Sequence, residues 1–229
     1  VLSIIVPTYQ EAGGIATCLT ALNAQAGPFE VFVVDGGSKD GTLDTVRDAT
    51  VNYPLAWGVA PQRGRSAQMN WGAAQTGGEV LLFLHADSCL PVGGLALLQE
   101  TMRGDWVGGR FDVQLDDPTW PYPWMGRLIN WRSRLARRCT GDMGIFVRRS
   151  VFTDLGGFPD QPLMEDLEFS ARLYRLGTMA HLALPLQTSA RRWQKSGILK
   201  TFWLMQTLRV AYALGTPPAT LQRWYRDVR

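Results

Sequence analysis

Nowhere in this 229-residue chain is there a run of about 18 uncharged apolar residues, so no segment reads as a membrane-spanning helix. Cysteine is scarce: Cys18, Cys89 and Cys139 are odd in number and lack metal-type spacing. That excludes a disulfide framework and predicts reduced thiols in a cytoplasmic setting. A basic leader is lacking as well. The chain opens on Leu2-Ser3-Ile4-Ile5-Val6, a strand-like run, which gives the expectation of no signal peptide. No repeat, low-complexity segment or long linker is present. Nor does a Gly-X-Gly-X-X-Gly turn follow the first apolar run; Pro7-Thr8-Tyr9-Gln10-Glu11 stands there, which argues against a dehydrogenase.

What is there fits one large α/β domain, or one domain with an appendage. Apolar residues make up 46% and charged residues 19%, ordinary values for a chain that buries a full core. Nine tryptophans are unusual, and the net charge of +3 is unevenly spread. Residues 121–149 hold seven Arg against one Asp, and residues 191–229 hold eight Lys or Arg against one Asp. Such clusters suit an anionic partner such as phosphate, a lipid headgroup or nucleic acid, or a solvated basic face.

In the first half, short apolar runs alternate with helical patterns. Leu2–Val6, Glu30–Val34, Tyr53–Val59 and Glu79–Leu84 read as strands. Between them, Ile15, Cys18, Leu19 and Leu22 share one helical face, and further helices are expected from Thr42 and after Arg65. The alternation predicts a mostly parallel sheet covered by helices on both sides. It places Pro7–Glu11, Asp35–Asp40, Arg63–Arg65 and Asp87 along one rim, where open α/β sheets bind ligands. Asp87 ends the fourth strand in His85-Ala86-Asp87 and is a candidate ligand for a hard divalent cation held together with substrate phosphates. The alternative is that it caps the next helix, with Pro91 in its first turn.

The second half differs. Gly108–Leu115 alternates like a half-exposed strand. Residues 121–138 predict an amphipathic helix with Leu128, Trp131 and Leu135 on one face. A turn at Thr140-Gly141-Asp142 leads into another strand. Leu163–Leu176 reads as a helix with Glu165, Asp166 and Glu168 in its first turn, and residues 179–186 as a strand.

Four stretches in this order resemble family 2 glycosyltransferases, which have the GT-A fold: Pro7-Thr8-Tyr9-Gln10-Glu11, Asp35 through Thr42, His85-Ala86-Asp87 and Met164-Glu165-Asp166. The resemblance covers residues 2 to about 193 and is nearest the arsenosugar-biosynthesis-type subgroup, in which His-Ala-Asp stands in place of Asp-X-Asp. It implies inverting transfer of a sugar from a nucleotide diphosphate, a UDP-sugar in particular, to an acceptor hydroxyl. The acceptor is a small molecule or a lipid-linked one, and nucleic acid is not a partner. Asp35 resembles the residue that accepts from the uracil N–H; its other reading is a turn-former. Pro7, Thr8, Tyr9, Glu11 and Ala86 complete the nucleotide site. Arg65, and less so Arg63, would grip the diphosphate ahead of a helix N-terminus. Asp87, with His85 as a softer second ligand, would hold Mn²⁺ or Mg²⁺. Asp166 is implied as the base, with Glu165 second; adjacent helical residues point about 100° apart, so one of them faces the acceptor. The other reading is a first turn with well-placed acids. Asp142 would touch the donor or acceptor sugar, and Arg191, Arg192 and Trp193 would form a lid over the diphosphate.

Three departures matter. His85 replaces the first carboxylate of Asp-X-Asp. His181, the last histidine, lies in a strand pattern, so no third metal ligand is evident. Arg192-Trp193 is present, but Ser189 stands where processive members carry Gln, which argues for non-processive transfer. Two rival readings stand beside this one. A nucleotidyltransferase would want a glycine-rich, basic loop in place of Pro7–Glu11. A catalytically weak binding module would hold nucleotide, or dock on membrane, through the basic, Trp-rich half.

The expected division is a glycosyltransferase domain over 1–193, with a nucleotide half at 1–90 and an acceptor half at 91–193, and a helical appendage at 194–229. In that appendage Ile198, Phe202, Met205, Leu208 and Tyr212 fall near one face, with Trp203 and Val210 elsewhere. Lys195, Lys200, Arg209, Arg223, Arg226 and Arg229 flank it. Such a helix lies on anionic lipid at the inner membrane face, or packs on the protein's own core or a second copy in a homodimer.

Overall fold

The computed structural model of the protein describes residues 1–227, with side chains through Tyr225; the basic side chains of Arg226 and Arg229 lie outside that description. Alternation along the first strand sets the layering. In β1 (Leu2–Thr8), Ile4 and Val6 enter one buried cluster with Ile15 and Leu19 of α1 (Ala12–Leu22). Ile5 points the other way, to Met69 and Ala73 of α3 (Arg65–Ala74). Successive strand residues face opposite sides, so both faces of the sheet are covered, as the alternating pattern predicts. The expected α1 face of Ile15, Cys18, Leu19 and Leu22 is the buried one.

Parallel pairing joins β1 to β2 (Phe29–Asp35), β2 to β3 (Leu55–Val59), and β1 to β4 (Val80–Phe83). The register sets Thr8 opposite Asp35, and Asp35 opposite Val59. Leu84 donates to Ile5 O at 3.0 Å, so β4 ends on the same rim. The loops after β1, β2 and β4, which carry Glu11, Asp35 and Asp87, therefore meet at one edge. α2 (Thr42–Arg47) follows β2, and the two-residue β5 (Ser88–Cys89) follows the His85-Ala86-Asp87 turn. The next helix, α4, runs Gly94–Thr101 and so starts after Pro91. Asp87 thus stands well clear of it, and the helix-capping alternative does not hold.

The sheet continues through the second half in the order β3-β2-β1-β4-β7-β6-β8-β5. β7 (Ile145–Arg148) runs antiparallel between β4 and β6 (Gly108–Leu115), and β8 (Met179–Thr188) is parallel to β6. Here the expectation of a half-exposed β6 is corrected. With β7 and β8 on its flanks and α5 (Tyr122–Ala136) against it, six of its eight residues are buried, fully buried Arg110 among them. Arg110 pairs with Asp112 at 2.5 Å and donates to Phe111 O at 2.9 Å, which accounts for a charge inside the protein.

On α5 the expected apolar face of Leu128, Trp131 and Leu135 is the outer one, while Tyr122, Met125, Gly126, Asn130 and Ser133 point inward. The Asn130 side chain accepts from Val113 N at 2.8 Å and donates to Val113 O at 3.0 Å, so it pairs with both backbone groups of one β6 residue. A Cβ on Gly126 would lie 3.1 Å from Val113 O, so glycine is what allows the close approach.

A 3₁₀ turn at Gly141–Met143 precedes β7, and α6 (Arg149–Asp154) follows it. α7 (Glu165–Leu176) starts with its three acids in the first turn, as expected. The C-terminal segment folds as α8 (Arg191–Ser196), α9 (Ile198–Ala213) and α10 (Pro218–Asp227). Leu208 and Leu221 share a buried cluster with Met164 and Leu167, so α9 and α10 close over the start of α7. Of the face expected on α9, Leu208 and Tyr212 are thus taken up by the protein's own packing, while Trp203 and Val210, elsewhere on the helix, are exposed. Among the described residues no helix is long and apolar enough to cross a membrane.

Candidate active site

The loops after β1 and β2 are stitched together. Ser38 Oγ accepts from Gln10 N at 2.9 Å, Thr42 Oγ1 from Glu11 N at 3.0 Å, and Asp40 from Ala12 N at 3.1 Å. The start of α1 is thereby capped from the neighbouring loop, although none of its own side chains caps it. Gln68, buried on α3, adds a strut by donating to Thr8 O at 2.7 Å and Val34 O at 2.8 Å. No motif announced it; a polar residue on the inner face of a helix was its only sequence signal.

Asp35 is wholly buried at the end of β2. Its carboxylate accepts from Gly37 N and Ser38 N, both at 2.7 Å, from Ser38 Oγ at 2.5 Å and from Thr8 Oγ1 at 3.3 Å. Those four bonds fill what a carboxylate offers, so the turn-forming role is the one on view. Tyr9 is half exposed beside it, and the Arg63 guanidinium lies 5.7 Å from its ring centroid. Pro7 and Thr8 end β1 beneath these groups.

Beyond this pocket the charges gather. Burial, then the nearby Glu11 carboxylate, pushes Asp87 above the usual carboxylate range, against the pull of Arg191, Arg65 and Arg192. Arg191 donates to Glu11 at 3.0 Å, which ties α8 across the cleft to the β1 loop. A Cβ on Gly14 would meet Ala86 O at 3.3 Å and a Glu11 carboxylate oxygen at 3.5 Å, so Glu11, Ala86 and the start of α1 share one small space. Arg192 lies 5.6 Å from the Tyr225 ring centroid. Trp193 is placed differently. It packs half-buried against Leu115, Tyr122, Met125 and Ala190, and so anchors α8 instead of lining the cleft.

Glu165 and Asp166 open α7 directly after Met164, whose φ of 66° is the left-handed conformation that a long side chain rarely adopts. Burial, then Asp166, raises Glu165 to about 7, against the opposing pull of Arg65. Arg65 stands 3.7 Å from Glu165. Burial pulls the Arg65 guanidinium down, but the fields of Glu165, Asp166, Tyr225 and Asp87 more than offset this and raise it. Asp166 is raised by burial, while Gly141 N donates to one of its oxygens at 2.8 Å and Leu167 N to the other at 2.7 Å. Asp142, next in the 3₁₀ turn, buries an Oδ1 with no hydrogen-bond partner in the described structure.

The buried Nε2 of His85 likewise has no partner. A Cβ on Gly141 would lie 2.5 Å from that nitrogen and 3.7 Å from an Asp166 carboxylate oxygen, so the imidazole sits over Gly141 beside Asp166. Burial, then Arg65 and Arg192, holds His85 well below its ordinary range, so it is neutral at pH 7. No group of three or more His, Cys, Asp or Glu suited to a metal occurs among the described residues. The donor set still fits a hard cation that takes most of its ligands from a diphosphate: a half-buried carboxylate crowded by another acid, and a neutral imidazole with a free nitrogen. His181 lies in β8 and meets Tyr174 Oη at 2.5 Å; it is a structural group away from these acids.

Arg132 and Arg209 were not singled out as site residues. Burial, then the Arg209 charge, lowers Arg132 to about 10, against Asp142 and Asp166. Arg209 is likewise lowered by burial, against the same two acids. Only tertiary structure brings these cations to the acid cluster.

Residues 3–154 match the family model described as glycosyl transferase family 2. A glycosyltransferase of Haloferax volcanii, AglE, is 31% identical over 170 residues, covering 69% of this chain and 56% of that protein. A probable glycosyltransferase of Bacillus subtilis, YdaM, is 27% identical over 198 residues, covering 77% and 47%. The chain spans about half the length of these two curated relatives. Among solved structures, S. aureus TarS 1-349 in complex with UDP superposes with a TM-score of 0.67 at 22% identity, covering 82% of this chain and 60% of that one. The mannosyltransferase PcManGT from Pyrobaculum calidifontis, in complex with GDP-Man and Mn²⁺, gives 0.66 at 22%, covering 99% and 69%. At such identity the structural likeness speaks for the fold alone, a GT-A-like one, whereas the family match spans most of the chain. With the rim motifs in family order on that fold, the chain belongs to glycosyl transferase family 2.

Proposed function

We propose that this protein transfers a sugar from a nucleotide-diphosphate donor, a UDP-sugar, to an acceptor hydroxyl, with inversion and without processivity. The observation that carries this reading is the position of Arg65. It stands within the fields of Glu165 and Asp166 on one side and of Asp87 on the other, so one cation links the expected base to the expected diphosphate site. The relatives named as glycosyltransferases support the reaction class, and the nucleotide-bound fold neighbours support the donor class. Residues 1–90 take the nucleotide and 91–193 the acceptor, while α9 and α10 of the helical appendage pack on the start of α7. The free thiols, two of them buried, suit a reducing, cytoplasmic compartment.

In this reading Pro7, Thr8, Tyr9 and Ala86 wall the nucleoside, and Glu11 takes the ribose. Asp35 holds the turn beneath the base and accepts the uracil N–H in place of the Ser38 hydroxyl. Arg65, Arg191 and Arg192 hold the diphosphate, with Trp193 fixing α8 behind them. Asp87 and His85 would hold Mn²⁺ or Mg²⁺, which when bound neutralises charge developing on the leaving diphosphate. Asp142 orients the sugar. Asp166 takes the proton of the acceptor hydroxyl. The oxygen then bonds to the anomeric carbon from the face opposite the nucleotide, and the diphosphate leaves with the bonding electrons.

The test is nucleotide release from UDP-, GDP- and dTDP-sugars with Mn²⁺, with Mg²⁺ and with chelator. Cation-dependent UDP release that Asp166→Asn abolishes is the expected result. Tight UDP binding with no release from any donor, with or without candidate acceptors, would overturn it in favour of a binding module.

A further inference from the structure

The outward face of α5 is apolar in a regular way. Trp124, Leu128, Trp131 and Leu135 lie within about 60° of arc at about 100° per residue, opposite the buried Gly126 and Ser133. Trp124 is 57%, Trp131 60% and Leu135 65% exposed, and Trp120 projects from the preceding loop. α9 repeats the pattern. Leu199, Trp203 and Val210, followed by Leu214 at its end, span a similar arc of about 60°, opposite the buried Thr201 and Leu208.

Helix rotation shows that the two stripes share a surface. Met125 and Ile198 meet in one apolar cluster near the helix N-termini. Further along, the Arg209 charge acts on Arg132. On α5, Met125 and Arg132 lie on one flank, about 80° from the centre of the stripe; on α9, Ile198 and Arg209 lie on the opposite flank, about 120° from the centre of theirs. Joined through that cluster near their N-termini, and with both inner faces on the protein, the two helices show their stripes to solvent on neighbouring parts of one surface.

The charge around this surface decides its partner. Apart from Arg132 and Arg209 at the acid cluster, Arg134 paired with Asp112, and Arg191 and Arg192 at the cleft, these two segments expose Arg127, Arg137, Arg138, Lys195 and Lys200, and residues 121–138 and 191–213 hold no acid. A two-fold contact with a second copy would set this basic surface against itself. An anionic membrane complements both parts, since apolar side chains enter the acyl boundary while the arginines stay at headgroup level. We infer that the paired outer faces of α5 and α9 dock on an anionic lipid surface, with α5 supplying the Trp and Leu anchors. Because Arg132 and Arg209 face Asp142 and Asp166 from the same two helices, docking sets the acid end of the cleft beside the lipid. The surface stands independently of the reaction assigned to that cleft.

Sedimentation with vesicles tests this, using phosphatidylcholine alone and phosphatidylcholine mixed with phosphatidylglycerol, at low and high salt. The protein should pellet with the anionic vesicles at low salt and do so less as salt rises. Trp131→Ser with Leu135→Ser should weaken binding by about tenfold or more, and Arg127→Glu should weaken binding to the anionic vesicles selectively. Both positions are exposed, and an unchanged melting temperature will show that the fold is intact. No pelleting with anionic vesicles at low salt overturns the inference. So does equal binding to both vesicle types, or a dimer in solution that the Trp131/Leu135 variant disperses.

Discussion

One carboxylate oxygen of Asp166 accepts a hydrogen bond from the backbone N–H of Gly141 at 2.8 Å, and this bond joins the first turn of α7 to the turn that carries Asp142. It fixes the direction of the carboxylate while the side chain stays half-buried among charged neighbours. An asparagine can keep the same bond through its amide oxygen but cannot take a proton from an alcohol. Asp166→Asn should therefore leave UDP binding near wild type and lower transfer by roughly 10²–10⁴-fold. Calorimetry and a UDP-release assay would check both halves. Equal loss of donor affinity would make Asp166 a binding residue, and loss in Glu165→Gln alone would exchange the two roles.

Gly141 leaves room for His85. A methyl group there would come within 2.5 Å of Nε2 and force the imidazole to move. Gly141→Ala is expected to reduce turnover more than stability, because His85 and Asp166 both flank that position. Matched thermal melts and initial rates would show it; unchanged rates would mean that the imidazole's position is irrelevant to transfer.

Asp87→Ala removes the half-buried carboxylate that lies within the fields of Glu11, Arg191 and Arg65. In the wild type, a ligand at 100 times its dissociation constant stabilises the native state by about 2.7 kcal/mol. The part of that UDP-induced shift that depends on Mn²⁺ should vanish in the variant, with the unliganded melting temperature little changed. Retained Mn²⁺ dependence would take the cation away from Asp87.

Asp35→Ala should act on both stability and recognition. It strands the backbone N–H groups of Gly37 and Ser38, which both now donate to Asp35 at 2.7 Å, at a cost of about 2 kcal/mol or more. Urea unfolding reads that loss. Ser38→Ala instead removes one of the two hydroxyls on Asp35 Oδ1, leaving that of Thr8, and should leave the preference for uridine over guanosine intact. If Asp35→Ala is destabilised yet still prefers uridine, Asp35 only forms the turn.

Glu165 makes stability depend on pH. Its folded pKa of about 7 lies above its ordinary 4.5, so the folded state holds a proton that the unfolded state releases between those values. This contribution is fully present below the unfolded pKa and is lost as pH rises through about 7. Glu165→Gln should therefore raise the melting temperature at pH 8 relative to wild type, by about 2–4 °C for each kcal/mol regained, and gain less at pH 5. Equal shifts at both pH values would refute the protonation account.

Much of this protein was legible in the sequence. Apolar runs ending in polar residues located β1, β2 and β4, and right-handed winding of successive β–α units put their ends on one rim, because parallel strands joined by helices leave no other arrangement. Glu11, Arg65 and Asp87 lie on that rim, and tertiary packing adds Glu165 and Asp166 beside Arg65. Periodicity also showed that residues 121–138 carry an apolar stripe. It did not show which way that stripe faces, since a helical period fixes angles between side chains and not the rotation of the helix on its support. That rotation was decided by Asn130 pairing with Val113 and by Gly126 approaching β6, contacts between segments that are local in space and not in sequence. The same holds for Asp35, whose carboxylate is occupied by groups from two loops, and for Arg132 and Arg209, which come within the fields of Asp142 and Asp166 only in the folded chain. The residues that carry chemistry were set by the sequence; their partners, and the side each helix shows to solvent, were decided by tertiary packing, because partner choice depends on distances between elements that no one-dimensional pattern contains.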